Sequence, residues 1–288
     1  MSIPKNHHYV SQCHIKNFFN NSEKKIYLYD KEKKNIFERK STKRVFSEYE
    51  SNSKITDNKV DHESLELDLK EHFEDNFVEL YKTIIEYISN SKSITPKLKD
   101  AIIEFAKYGV ISEIRTPFMK SQADEAIKNS LFNQILPYSA NPLKEQLEEL
   151  KVMLQKTKYS NSLKYSDFSE RVIEKMGDIN FIIYVIKTND FFILPDCASI
   201  TWRARINEYF NPDIKEISMV GIPLSSKVFL HVESKKLRKF KTGIIELNEN
   251  NVSAIRTINF SLYKNANKQV ACENKSYLTN LIEIIETE

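Results

Sequence analysis

Residues 7 to 19, HHYVSQCHIKNFF, place His7, His8, Cys13 and His14 within eight positions. Side chains of these types bind metal ions, move protons or attack as nucleophiles. Their spacing limits what they can do together. In a regular strand His7 and His8 point to opposite faces, and His8 and His14 stand about 20 Å apart, too far to share one ion unless the chain bends. An apolar setting raises the pKa of a thiol, which makes Cys13 a poor nucleophile. One histidine acting alone remains a good general acid or base, because its pKa lies nearest neutrality.

The elements that would position such a group follow from the pattern of apolar residues. Residues 9 to 50 read as β-rich, with IYLYDKEKKNIFERK as a hairpin, and SEYESNSKITDN, 47 to 58, reads as a loop because it has no apolar period. From Asp61 the recurrence of Leu65, Leu69, Phe73, Phe77, Leu80, Ile84 and Ile88 predicts one helix over about 62 to 89. Thr95-Pro96 starts a second helix that ends near Arg115-Thr116-Pro117. Further helices are expected at about 118 to 136, 142 to 157 and 166 to 176.

After Gly177 the texture turns to strands. NFIIYVIKTN and DFFILPD read as two buried strands joined by a tight turn at Thr188-Asn189-Asp190, followed by EISMVGIP, KVFLHVES, GIIELNE and VSAIRTINF, the last read alternatively as the start of a helix. A helix over about 259 to 272 would carry Leu262 and Val270 on one face, and SYLTNLIEII closes the chain as a strand or helix. Strands, then helices, then strands, without regular alternation, predict an α+β fold: an N-terminal β-hairpin, a helical middle and a C-terminal, mostly antiparallel sheet. We expect one domain over 1–288 with sub-lobes 1–58, 59–176 and 177–288.

Composition excludes several classes. A hydrophobic share of 41% and a charged share of 29% are those of an ordinary globular chain, and a formal charge of +3 makes no global demand for nucleic acid. There is no apolar run of 18 residues, so no membrane span or membrane partner is expected. The start MSIPKNHHYV lacks the apolar stretch of a secretory leader, making the cytoplasm the expected compartment. Three widely spaced cysteines form no C-x-x-C pair. Four glycines leave little with which to line a phosphate cradle, and no nucleotide cofactor is expected.

The opening HHYVSQCHIKNFF resembles the HHYVPQFYLRNF start of a bacterial family known as domain of unknown function 4238, and the likeness continues in order along the chain. It takes in IYLYDKEKK, the acidic helix LELDLKEHFED, the helix end ISEIRTPFMK, the strand end FFILPDCAS and the strand entry IPLSSK. The sequence departs from the family pattern at Ser11, at His14-Ile15-Lys16 and at Asp196-Cys197-Ala198. Cys13 and His14 stand where the family has bulky apolar residues and are set aside. His8, Gln12, Glu66, Arg115 and Asp196 keep the polar positions of the motifs and become the candidates.

Each candidate has a chemistry and a plainer alternative. His8 suits acid or base work, or a hydrogen bond that pins the first strand. Glu66, near Glu63, Asp68 and Glu74, suits a base or metal ligand, or a solvated helix face. Arg115 can grip phosphate or carboxylate bidentately, or compensate a helix end. Asp196 presents a carboxylate at a sheet edge, or caps a turn. Trp202, Arg203 and Arg205 follow it; the arginines are candidate ligand-binding residues with Gln12, while Trp202 reads as a core anchor, with stacking on a base as the alternative. KKLRKFK, 235 to 241, reads as a solvated hairpin loop that could track a phosphate backbone.

The expected function is therefore a metal-assisted phosphodiesterase or nuclease. His8 would be its acid or base, Glu66 and Asp196 its metal or water-positioning carboxylates, Arg115 its phosphate clamp and Mg or Mn its candidate ion. Nucleic acid is the candidate substrate and partner, and the expected setting is an effector of phage defence or a toxin, with a protein of the same defence system as a further candidate partner. The alternative is a non-catalytic sensor or binding module for a small anionic ligand or a partner protein.

Overall fold

Short strands build the N-terminal part. In the computed structural model, which describes residues 6–57, 59–90 and 93–287, β1 (Asn6–His8) leads into a short helix, α1 (Gln12–Lys16). Ser11 caps it, its Oγ accepting from the His14 N–H. The strand geometry expected around Cys13 and His14 thus gives way to a helical turn, for which a serine at the entry is a good start signal. β2 (Ile26–Asp30) and β3 (Asn35–Arg39) form the expected hairpin. The stretch read as a loop carries β4 (Ser47–Tyr49), paired with β1, and β5 (Lys54–Thr56), paired with β6 (Lys59–Asp61). Strands this short carry too few residues for a visible period. The reading of MSIPK as the start of a leaderless chain falls on residues 1–5, outside the described residues.

The helical middle follows, with one informative break. The single helix expected over 62 to 89 is divided into α2 (Ser64–Leu69), a π-helical turn at Lys70–Glu74 and α3 (Phe77–Asn90). The inserted residue lets the Asp75 N–H donate to the Lys70 carbonyl, five residues back. α4 (Pro96–Ile114) starts as expected, with the Thr95 hydroxyl accepting from the Leu98 N–H and Pro96 in the first turn. α5 (Pro117–Lys128) passes into a second π-helical stretch at Asn129–Ile135, and α6 (Leu143–Leu154) and α7 (Tyr165–Met176) complete the set.

β7 (Ile179–Ile186) opens the sheet-forming part, but it forms no hairpin with FFILPD. Only β8 (Leu194–Pro195) is extended and paired, and it lies in a different sheet. The preceding N–H groups find other acceptors: Phe192 donates to the Ser226 carbonyl and Ile193 to the Asn259 side chain. β9 (Ile200–Ala204), β10 (Glu216–Ser225), β11 (Val228–Ser234) and β12 (Gly243–Leu247) complete a sheet of order β12-β7-β11-β10-β9. Only the β12–β7 pair is parallel. VSAIRTINF is helical, within α8 (Val252–Asn265). The helix expected over 259 to 272 ends at Asn265, and β13 (Gln269–Cys272) joins the order β3-β2-β13-β8 before α9 (Lys275–Thr287). The fold is α+β.

Strand alternation splits the core. On β11, Leu230 and Val232 pack with Ile102, Phe105 and Val110 of α4, whereas Phe229 packs with Ile255, Leu262 and Ile282 of α8 and α9. β2 divides likewise, Ile26 and Leu28 joining the first cluster and Tyr27 and Tyr29 the second. α4 seats close on β10 because Gly109 has no side chain there. A Cβ at that position would overlap Val220 and stand 2.7 Å from the Ile222 Cδ1.

Candidate functional site

Three of the four principal candidates meet where β1, the π-turn and the end of α4 converge. Arg115 caps α4, its N–H donating to the Ile111 carbonyl, and its side chain is 1% exposed. Nη2 donates to the His8 carbonyl oxygen at 2.6 Å and stands 3.7 Å from Glu74 Oε1. Nε and Nη1 are buried with no hydrogen-bond partner. Two such donors are costly, since each forgoes about 1–3 kcal/mol of solvation.

His8 lies directly beside this guanidinium. Its Nε2 pairs with the Thr42 carbonyl at 3.1 Å; because a carbonyl only accepts, Nε2 carries the proton and the lone pair sits on Nδ1. Burial lowers the His8 pKa, with the Thr42 carbonyl and Glu66 opposing and Arg115 and His7 adding to the effect. The imidazole is thus neutral at pH 7 with a free basic nitrogen. Gln12 belongs to the same chain of contacts: its Oε1 accepts from the Thr42 hydroxyl at 2.6 Å.

Glu74 is the half-buried carboxylate facing Arg115. The π-turn that breaks the helix sets its direction, and such turns often mark functional positions. Burial raises its pKa, Arg115 pulls it back down, and nearby Glu66 pushes it up again. Glu66 accepts from the Asn52 side-chain amide through Oε1.

Asn52 is the hub that sequence reasoning missed. Its N–H donates to His7 Nδ1 at 2.8 Å, and its Oδ1 accepts from Lys120 Nζ and, at 3.4 Å, from the Tyr165 hydroxyl. Lys120, also missed, sits in the interior and donates to the Ser51 carbonyl at 2.6 Å. Burial, followed by the repulsion of Arg115, lowers its pKa to about 7. Asn52 lies in a polar loop with no pattern of its own, and Lys120 closes the stretch ISEIRTPFMK but, as a lysine on a helix with a modest apolar face, reads as solvated.

Asp196 does not join them. Its Oδ1 accepts from the Asn267 N–H at 2.8 Å, and its Oδ2 from those of Lys268 and Gln269 at 2.7 and 2.9 Å. The carboxylate fixes the turn between α8 and β13, as the turn-capping alternative predicts, and the metal pair Glu66 and Asp196 has no common locus. Among the described residues, no group of three His, Cys, Asp or Glu side chains is arranged to hold a metal ion. Asp68 is likewise spent, accepting from the Tyr165 and Ser166 N–H groups at the start of α7.

The remaining candidates are peripheral. Arg203 pairs with Glu113 at 3.3 Å on the surface, and Arg205, just past β9, is exposed. Trp202 is 64% exposed, which corrects its reading as a core anchor; β9 is an edge strand and presents it outward. In KKLRKFK, Arg238 is engaged by Glu233 and Lys235 by Asp178. His14 is structural: fully buried, it donates from Nε2 to the Pro223 carbonyl and accepts at Nδ1 from the Tyr108 hydroxyl, and burial lowers its pKa to about 4. The Cys13 thiol, pushed up by burial, lies against Ser11 Oγ.

The sequence model of a family described as "Protein of unknown function (DUF4238)" matches residues 6–276, and the chain belongs to that family. No curated protein and no solved structure matches it. Among the described residues, no helix is long and apolar enough to cross a membrane.

Proposed function

We propose that this family member hydrolyses phosphodiester bonds, using Arg115 to hold the phosphate and His8 to move a proton. The observation that carries the reading is the guanidinium itself: 1% exposed, with Nε and Nη1 unpartnered beside a neutral imidazole. Nε and Nη1 do not share one edge of the guanidinium, so a phosphate oxygen accepting from either of them would recover one lost hydrogen bond.

In this scheme His8 Nδ1 accepts a proton from the attacking water. The imidazolium so formed returns that proton to the leaving oxygen, and Arg115 balances the charge that develops on the phosphoryl oxygens. Glu66 reinforces the basicity of His8 from its tether on Asn52. Asp196 has no part in it. A divalent ion, Mg or Mn, would have Glu66 and Glu74 as its carboxylates in place of the pair named from sequence. Nucleic acid is the substrate class to test first.

The test is incubation of the purified protein with labelled single- and double-stranded DNA and RNA, with Mg²⁺, with Mn²⁺ and with chelator, beside His8→Ala and Arg115→Met. Cleavage that both substitutions abolish supports the reading and names the substrate. Binding to Arg115 without turnover under any condition would replace it with the anion-sensing module. The setting in defence or toxicity is read separately, by whether induced expression arrests growth and His8→Ala relieves the arrest.

A further inference from the structure

Across Asn52 from Glu66 lies a separate space. A cavity of about 210 Å³ is walled by Ile114, Met119 and Ile127 on its apolar side and by Lys120, Tyr159 and Tyr165 on its polar side. The volume falls below the ~300–1,000 Å³ of pockets for drug-sized ligands, so the occupant would be a small metabolite.

Lys120 decides the chemistry of that occupant. An ammonium has three N–H donors, and two of these are taken, by the Ser51 carbonyl and the Asn52 Oδ1. Among the described residues it makes no ion pair with a carboxylate; Glu66 and Glu48 act on it only at longer range. Its Nζ stands 5.7 Å from the Tyr159 ring centre and 6.0 Å from that of Tyr165, both in the cavity wall. The acidic group of the wall is already committed, since Asp124 accepts from the Ser160 N–H at 2.7 Å and faces Lys128 Nζ at 3.4 Å. The Ser160 hydroxyl of the same wall is buried without a partner.

We infer that this cavity binds a small organic carboxylate, its apolar body against Ile114, Met119 and Ile127 and its carboxylate on the third donor of Lys120 and the Ser160 hydroxyl. A cation would be repelled by Lys120, and a neutral apolar molecule would leave both polar groups unsatisfied. The site does not depend on the hydrolytic reading, because it uses neither His8 nor the free nitrogens of Arg115.

Affinity should depend on pH. The charged groups acting on Lys120 are Arg115 and Lys158, which lower its pKa, and Glu66 and Glu48, which raise it; Tyr165 and Tyr159 pack beside it as neutral phenols. With that pKa near 7, the ammonium that the carboxylate needs is present below neutrality and lost above it.

Titration of the full chain with benzoate, hexanoate, phenyl phosphate and benzyl alcohol, followed by ligand-observed NMR at pH 6 and pH 9, tests this. We expect saturable binding of benzoate or hexanoate at pH 6, at least about tenfold weaker at pH 9, for benzyl alcohol and for Lys120→Met, and unchanged for His8→Ala. Ala123→Phe, at an exposed wall position, would fill the cavity mouth without touching Lys120 and should abolish binding at an unchanged melting temperature. Absence of saturable binding, equal binding by Lys120→Met or Ala123→Phe, or preference for phenyl phosphate at both pH values would overturn the inference.

Discussion

Asp196 and Arg115 are both buried charges at the ends of secondary-structure elements, but their surroundings differ. Three backbone N–H groups converge on Asp196, and its carboxylate is satisfied by the turn it holds. Among the described residues, the Arg115 side chain has one hydrogen bond, to the His8 carbonyl, and two nitrogens with none. The fold saturates the first charge and leaves two buried donors of the second unmet. The difference separates two residues that look alike in sequence.

The largest effect should come from Asp196→Ala, which strands three N–H groups at once. At about 1.5–3 kcal/mol for each bond to a charged group, with incomplete additivity, a loss of about 4 kcal/mol is expected in urea unfolding. Asp196→Asn should lose less, and neither should alter anion binding in chains that remain folded. A phosphodiesterase activity lost in folded Asp196→Asn would break the comparison.

Lys120 sharpens it through pH. Its folded-state pKa of about 7 lies below the ordinary 10.5, so the folded state disfavours the charged form. Stability is therefore fully present above pH 10.5 and declines as pH falls toward and through 7. The unfolding free energy of the wild type in urea should rise by about 2 kcal/mol or more from pH 7 to pH 10 relative to Lys120→Met. A parallel pair of pH curves would show that this lysine is not held against its charge.

Arg115→Met should cost little stability, within about 1.5 kcal/mol, because it removes two unsatisfied donors along with one good bond and leaves Glu74 half solvated with a raised pKa. Anion binding should nonetheless disappear. If the variant unfolds as readily as Asp196→Ala, the arginine is structural after all. His8→Ala should lose about 1 kcal/mol, the bond to Thr42, and all proton transfer. Smallest of all, Arg203→Ala should change the melting midpoint by less than about 0.5 kcal/mol, its ion pair being exposed.

These contrasts also mark what the residues alone could reveal. The β2–β3 hairpin, the capped start of α4 and the α+β order were legible because each rests on a local pattern: alternation, a Thr-Pro cap and a run of element types. The π-turn at 70–74 was not, since its apolar spacing continues past the inserted residue and mimics one helix. QVAC, 269 to 272, read as the end of a helix because Val270 is in step with Leu262, whereas pairing with β2 makes it a strand, and such pairing is invisible to local period. His8, Glu66 and Arg115 were found through motif positions. Asn52 and Lys120 were missed because what singles them out is three-dimensional: Asn52 ties Glu66 to Lys120 across separate elements, and Lys120 is buried with no carboxylate paired to it among the described residues.

Gly109 bears on all of this from a distance. Six residues before Arg115 on the same helix, it allows α4 to rest directly on Val220 and Ile222. The helix behaves as a rigid rod pressed flat at one point, and the height of its far end above the sheet sets how far the guanidinium projects toward the His8 carbonyl. One added methyl group at residue 109 would act as a shim, lifting the rod and taking the arginine out of register with β1 while leaving every residue of the site intact.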